Sequence, residues 1–403
     1  MRYALILLLV FFIGCKQKPD RPKHISVTDA FPPVETEPAN TDYPPAFKGQ
    51  TRVAGVKTRT SITHKIITKD LSRPWGMALM PDGNLLVTQK EGTMKIVTPA
   101  GELSADITGL PKVDSRGQGG LLDVALDPDF QTNGLIYWTF SEPQPGGNLT
   151  AVGKGVFDVD ALKVHNVKVI FRATPAYDGT LHYGSRLVFA PDGNLFVSTG
   201  ERSDKETRQQ AQDLKSGLGK IFRITPDGAP APGNPTFKQA MPGIYSYGHR
   251  NPQGLALHPQ TGALWSAEFG PMGGDELNLI QPGKNYGWPT ITYGVEYSGD
   301  AISNKATRRE GMEQPVYYWD PVLSPSGMVF YTSDAIPEWK NNLFIGGLSS
   351  NHICRVVIRD NRVVGEERLL ANEFQRFRDV SMAANGGLYA ITDDGRLYWI
   401  GKK

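Results

Sequence analysis

One theme recurs along this chain and limits its fold more than anything else. A turn of Asp, Asn or Gly is followed by a short β-rich run with small residues, in PDGNLLVTQKEGTMKIV, DPDFQTNGLIYWTFSE, PDGNLFVSTGE, HPQTGALWSAEFG, WKNNLFIGGLSSNHICRVVI and ANGGLYAITDDGRLYWI. Such turns join antiparallel strands, and long helical patterns are scarce. Self-similar strand units without interspersed helices argue against parallel α/β folds and for radial repetition: an all-β, six-bladed β-propeller, one blade per copy. The alternative from repetition alone is a pair of β-sandwiches.

The rest of the chain frames that domain. MRYALILLLVFFIGC has one early positive charge, an apolar run from Ala4 to Ile13, and Gly14 before Cys15. This reads as a signal peptide, too short for an ordinary spanning helix. The small residue before cysteine resembles the bacterial lipobox. The expectation is therefore an exported protein, lipid-anchored through Cys15 at the bacterial envelope, with Lys16 leaning the address toward the outer membrane. Lipidation of Cys15 leaves Cys354 alone, so no intramolecular disulfide can form, and Cys354 in HICRVVI reads as a small core residue. Residues 16–60, rich in Pro, Thr, Asp and Lys, read as a flexible tether, and the propeller as residues 61–403. A net charge of +2 over 403 residues and the lack of a Lys/Arg run argue against nucleic acid as a partner.

Propellers bind ligands at the channel mouth, on loops beside the repeats. Four such stretches carry polar residues: Gln118 among glycines, His182 in LHYGSRL, Arg250 and Asn251 in YGHRNPQG, and Arg376 and Arg378 in EFQRFRDV. Arg376 and Arg378 share one face of an extended chain, with Phe377 on the other. Two guanidinium groups there need a bound anion or acidic neighbours such as Asp379. In EFGPMGGDELNLIQPGKNYGWP, glycines free backbone carbonyls while Asp275 and Glu276 add hard oxygens, a combination suited to calcium. No CxxC or HExxH arrangement points to zinc.

Together, GQGGLLDVALDPDF, HYGSRLVFAPDGNLFVSTGE, GHRNPQGLALHPQTGALWSAEFGPMGGDELNLIQPGKNYGWP and QRFRDV resemble the soluble quinoprotein sugar dehydrogenases, in the aldose sugar dehydrogenase branch of the glucose/sorbosone dehydrogenase family. The resemblance runs from about Leu71 to the C-terminus. It implies a six-bladed propeller holding pyrroloquinoline quinone (PQQ) and calcium, which oxidises the anomeric hydroxyl of aldoses to lactones and passes electrons to an external acceptor. On that resemblance His182 is the general base, and Arg250 steadies negative charge on the quinone oxygen. Asn251 orients the cofactor, and Gln118, Tyr297 and Trp319 line the cofactor or substrate site. Arg376, Arg378 and Arg250 meet the PQQ carboxylates, the backbone oxygens of Gly270 and Pro271 hold one calcium, and Glu276 and Tyr286 belong to a second, structural one. Three positions depart from the family pattern. Ser349 stands where a lysine is usual, Leu181 where the glucose branch has an aspartate, and TQK at 88–90 where TER is usual. The preferred sugar, the acceptor and the choice between monomer and homodimer stay open. Two other readings are a propeller that binds without turnover and a calcium-dependent lactonase.

Overall fold

The computed structural model describes residues 31–403; the expected signal peptide, Cys15 and residues 16–30 of the tether lie outside the described residues. Six antiparallel sheets stand around one axis. Their innermost strands, in blade order, are Pro74–Leu79, Leu121–Leu126, Gly184–Phe189, Pro252–Leu257, Pro325–Phe330 and Phe377–Met382, and each touches the next until the last meets the first. The ring closes within blade 6, where Ile62–Thr68 pairs with the C-terminal strand Leu397–Lys402. Blade 1 has three regular strands and, as a fourth edge, two isolated bridges at Leu103 and Ile107.

Local chemistry explains the repeat. In blades 1 and 3 the PDGN turns are built alike: the aspartate carboxylate accepts the Asn84 or Asn194 backbone N–H, and Gly83 or Gly193 takes the left-handed conformation with φ near 80–90°. The second strand of each blade follows the turn. LLVTQ, LFVST, LWSAE, LFIGG and LYAIT are buried at every position. Neighbouring blades cover both faces of these strands, which is why they read as short unbroken apolar runs rather than as alternating ones. The core is accordingly built on six large apolar clusters, one at each blade-to-blade interface, with two clusters of three residues beside them. Cys354 is a free thiol buried in the cluster between blades 4 and 5.

Two features of the inner strands place the functional end. Each breaks register with its second strand near its start, at Pro74/Met77, Leu121/Val124, the Gly184 end, Pro252/Gly254, Pro325/Met328 and Phe377/Asp379. Bulges of this kind turn side chains out of the sheet. One such side chain, Arg186, crosses the channel to Asp123 of blade 2 at 2.8 Å, Asp379 of blade 6 at 3.2 Å and the Gln253 carbonyl of blade 4 at 2.9 Å, with its guanidinium 4.5 Å from the Trp75 ring. This buried bridge ties four blades together and fills the channel below its mouth.

The expected tether needs correction over residues 31–60. That segment lies along the outer edges of blades 4 and 5: Gly55 bridges Glu366, Thr58 donates twice to Glu367, Asn40 and Thr41 donate to the Asp320 carboxylate, and Arg52 to its carbonyl. Its polar composition serves hydrogen bonds that cover strand edges, which composition alone cannot distinguish from a solvated linker.

Candidate functional site

In an antiparallel blade the start of the inner strand and the end of the second strand lie at the same end. Gln118, His182, Arg250, Asn251 and Arg376 all precede inner strands. Lys90, Glu201, Phe269 to Pro271, Ser349 and Asp393 all follow second strands. The fold thus gathers both sets at one mouth.

His182 is held at four points. Its backbone is left-handed (φ 49°), a conformation that costs a non-glycine residue energy and marks functional positions. Its N–H donates to Gln118 Oε1 at 2.9 Å, and its ring Nδ1 meets Glu201 Oε1 at 2.6 Å. Gly200 packs against its carbonyl so closely that a Cβ there would lie 2.1 Å away. Burial first, and then the charge of Arg250, push the His182 pKa down to about 4 against the opposite pull of Glu201. Burial alone would raise the Glu201 carboxyl, but His182 and Arg250 hold it below its ordinary value. At neutral pH the pair is therefore a neutral imidazole donating Nδ1–H to a carboxylate. Among the described residues Nε2 has no hydrogen-bond partner and is left as an acceptor.

Around this ring lie polar atoms with nothing to bind. Arg250 Nε, Asn251 Nδ2 and Glu201 Oε2 are buried without partners among the described residues. Unmet buried groups are costly and mark places where a ligand completes the bonding. Their own residues are otherwise well anchored: Asn251 Oδ1 accepts Gly184 N–H at 2.9 Å, the Arg250 N–H reaches Glu268, and its guanidinium reaches the Phe269 and Gly270 carbonyls and lies 5.1 Å from the Trp288 ring.

Two cavities open beside them. One, of about 280 Å³, is lined by Gln118, Arg376, Arg378, Asp393, Arg73 and Lys90 among others. Asp393 is the carboxylate that answers the two arginines, accepting from Arg376 Nε at 2.9 Å and Arg378 Nε at 2.7 Å. Asp379, the neighbour suggested by the sequence, serves Arg186 instead. The second cavity, of about 490 Å³, is lined by Arg250, Pro271, Arg208, Glu296 and Tyr297, the last a residue 76% exposed.

Not every expected residue is at the mouth. Trp319 is a correction: it lies on the outermost strand of blade 4, in the apolar cluster shared with blade 5, and its indole N–H donates to Glu366 at 3.2 Å. Ser349 is exposed at the rim of blade 5, with Oγ 2.9 Å from Ser324 Oγ. Tyr286 is buried, its ring stacked 4.8 Å from His249 and its hydroxyl donating to the Leu279 carbonyl. Glu276 stands directly opposite Glu268 on paired strands, and Asn278 Nδ2 bridges the two carboxylates.

Sequence reasoning missed Glu201 and Asp393 and met Lys90 only within the TQK stretch at 88–90. The signal that could have found them is their position, one or two residues beyond each second strand.

A family model described as Glucose / Sorbosone dehydrogenase matches residues 71–399. The chain belongs to the glucose/sorbosone dehydrogenase family. It is 41% identical over 339 residues to aldose sugar dehydrogenase YliI of Escherichia coli (strain K12), covering 83% of this chain and 91% of that one. The apo-form crystal structure of the soluble aldose sugar dehydrogenase from Escherichia coli superposes with a TM-score of 0.81 at 40% identity, over 85% of this chain and all of the other. The PQQ-bound form of aldose sugar dehydrogenase from Streptomyces coelicolor superposes with a TM-score of 0.70 at 31% identity, over 86% and 99%. The family's six-bladed propeller is the fold seen here.

The donor set can be tested against the cofactors this membership suggests. A tricarboxylate such as PQQ fits: the smaller cavity offers four cationic side chains, and the orphaned Arg250 Nε and Asn251 Nδ2 supply unused donors. For calcium the protein side is thinner. The Asp275 carboxylate is spent on the backbone N–H groups of Gly270, Leu323 and Ser324, which leaves the Gly270 and Pro271 carbonyls as donors, the first already facing Arg250. Among the described residues no group of three or more His, Cys, Asp or Glu is arranged to hold a metal ion.

Proposed function

We infer that this protein is a quinoprotein oxidoreductase that oxidises the anomeric hydroxyl of aldose sugars to lactones, with PQQ as the hydride acceptor. The observation that carries the reading is the neutral His182, its Nε2 free and surrounded by unpaired polar atoms beside a cationic cavity. Bound PQQ would supply the two-electron acceptor, and calcium at the Gly270 and Pro271 carbonyls a Lewis acid. The chain's own residues do the rest. His182 Nε2 accepts the proton of the sugar hydroxyl, a task suited to an imidazole that is neutral at working pH. Glu201 fixes the tautomer and steadies the imidazolium that forms. Arg250 places a positive charge where negative charge develops, and its packing on Trp288 keeps it oriented. Tyr297, exposed over the larger cavity, offers an aromatic face to the sugar.

Export with a lipid on Cys15 belongs to the same proposal, and mass spectrometry of the envelope-purified protein tests it. The enzymatic reading is tested by adding PQQ and calcium to residues 31–403 and following dye reduction with a panel of aldoses. Reduction with at least one aldose is expected. No reduction at saturating PQQ would sink the enzyme reading and leave the propeller that binds without turnover, which the uncharged Ser349 favours.

A further inference from the structure

Lys90 is the first residue after the second strand of blade 1. It lines the smaller cavity between Arg73 of its own blade and Arg376 and Arg378 of blade 6. Of these four cations, Arg376 and Arg378 share Asp393, and Arg73 reaches Glu91. Lys90 makes no ion pair among the described residues; its Nζ donates to the Gly117 carbonyl at 2.5 Å. The backbone beneath it is fixed, since its N–H donates to Arg73 and its carbonyl accepts Leu121 N–H at 3.0 Å. A Cβ on Gly120 would lie 2.2 Å from that carbonyl, so glycine there is what lets blade 2 close on Lys90. An ammonium half withdrawn from water, facing a cavity and without a counter-ion, is set up to receive one.

We propose that Lys90 is a direct ligand for a carboxylate of the anion that this cavity takes. Burial first, then the charges of Arg73 and Arg378, push its pKa down to about 8, with Asp393 pulling the other way. The charged groups facing it are Arg73, Arg376, Arg378 and Asp393. An arriving carboxylate raises its pKa, so above pH 8 the neutral amine takes one proton from solvent as the ion pair forms. Below pH 7 the ammonium is already charged and binding takes up none.

The identity of the anion as PQQ rests on the function proposed above; the role of Lys90 is tested with a second probe as well. Calorimetric titrations of residues 31–403 with PQQ and, separately, with benzene-1,3,5-tricarboxylate are run at pH 6.5 and 8.5, in buffers of different ionisation enthalpy. Wild type is expected to take up ~0.5–1 proton at pH 8.5 and none at 6.5. Lys90→Gln should weaken binding about 10- to 100-fold through loss of one charge-assisted hydrogen bond. Lys90→Arg should bind as wild type does, with the proton uptake gone. Binding by Lys90→Gln within twofold of wild type, or uptake that persists in Lys90→Arg, would overturn the proposal. If the tricarboxylate behaves as described and PQQ does not bind, the proposed function falls and Lys90 keeps its role; if wild type binds neither, both fall.

Discussion

Blades 3 and 4 each carry a histidine paired with a glutamate 19 residues later, His182 with Glu201 and His249 with Glu268. The spacing is the same because each pair joins the approach to an inner strand to the end of the second strand. Their chemistry differs. His249 is fully enclosed, uses Nδ1 on Glu268 and Nε2 on Ser246, and stacks on Tyr286. His182 uses Nδ1 alone, which leaves Nε2 without a partner among the described residues, near Arg250 and the unpaired atoms of Asn251 and Glu201. One blade spends its histidine on holding the sheet, and the next leaves half of it free. Burial and pairing with a carboxylate therefore do not separate the two; the unused nitrogen of His182, set among other unpaired polar atoms, does.

The comparison can be broken first at the carboxylates. Glu201→Gln should lower turnover about 10²- to 10³-fold, because an amide can hold the wrong tautomer and cannot steady an imidazolium. The same substitution at Glu268 should reduce stability more than rate. Glu201 acts through His182, so its variant should also move the acid limb of kcat/KM to lower pH, as the carboxylate no longer pulls the imidazole pKa upward. An unmoved limb would make Glu201 merely structural. Next comes stability: His249→Ala, which removes two buried hydrogen bonds and opens a cavity, should cost about 2–4 kcal/mol in urea unfolding. His182→Ala should cost less, since it removes one buried side-chain hydrogen bond where His249→Ala removes two. Equal losses would erase the distinction between the two blades.

The smallest effect expected is in pH. The folded pKa of His182 lies below its unfolded value, so the active neutral form persists as pH falls through 6.5 and is lost only near 4. A kcat/KM profile that is flat from pH 8 to 5 is expected, and half-loss near 6.5 would place His182 in water rather than in its buried pair.

The repeat made the fold legible, because a turn of Asp, Asn or Gly followed by an apolar second strand leaves a local signature in each blade. The site was half legible. Residues before inner strands stand out as polar breaks, His182, Arg250, Asn251 and Arg376 among them. Their partners Glu201, Asp393 and Lys90 sit 15 to 19 residues away along the chain, or on another blade, at the ends of apolar strands where they read as punctuation. Arg378 shows the limit: its shared face with Arg376 followed from a period of two, but which aspartate answered them depended on how the inner strand bulges, and the bulge gives Asp379 to Arg186. Trp319 and residues 31–60 were misplaced for a related reason, since an aromatic run or a polar segment does not reveal which edge of which blade it covers.

The most direct test is the single-turnover rate at which an aldose substrate reduces the bound cofactor, compared for wild type, His182→Ala and His249→Ala with PQQ and calcium saturating. Loss of the base should slow His182→Ala at least 10²-fold while its PQQ dissociation constant stays within a few-fold of wild type, and folded His249→Ala should react at close to the wild-type rate. A His182→Ala rate near wild type, or loss of cofactor binding in place of loss of rate, would contradict the assignment of His182 as the base.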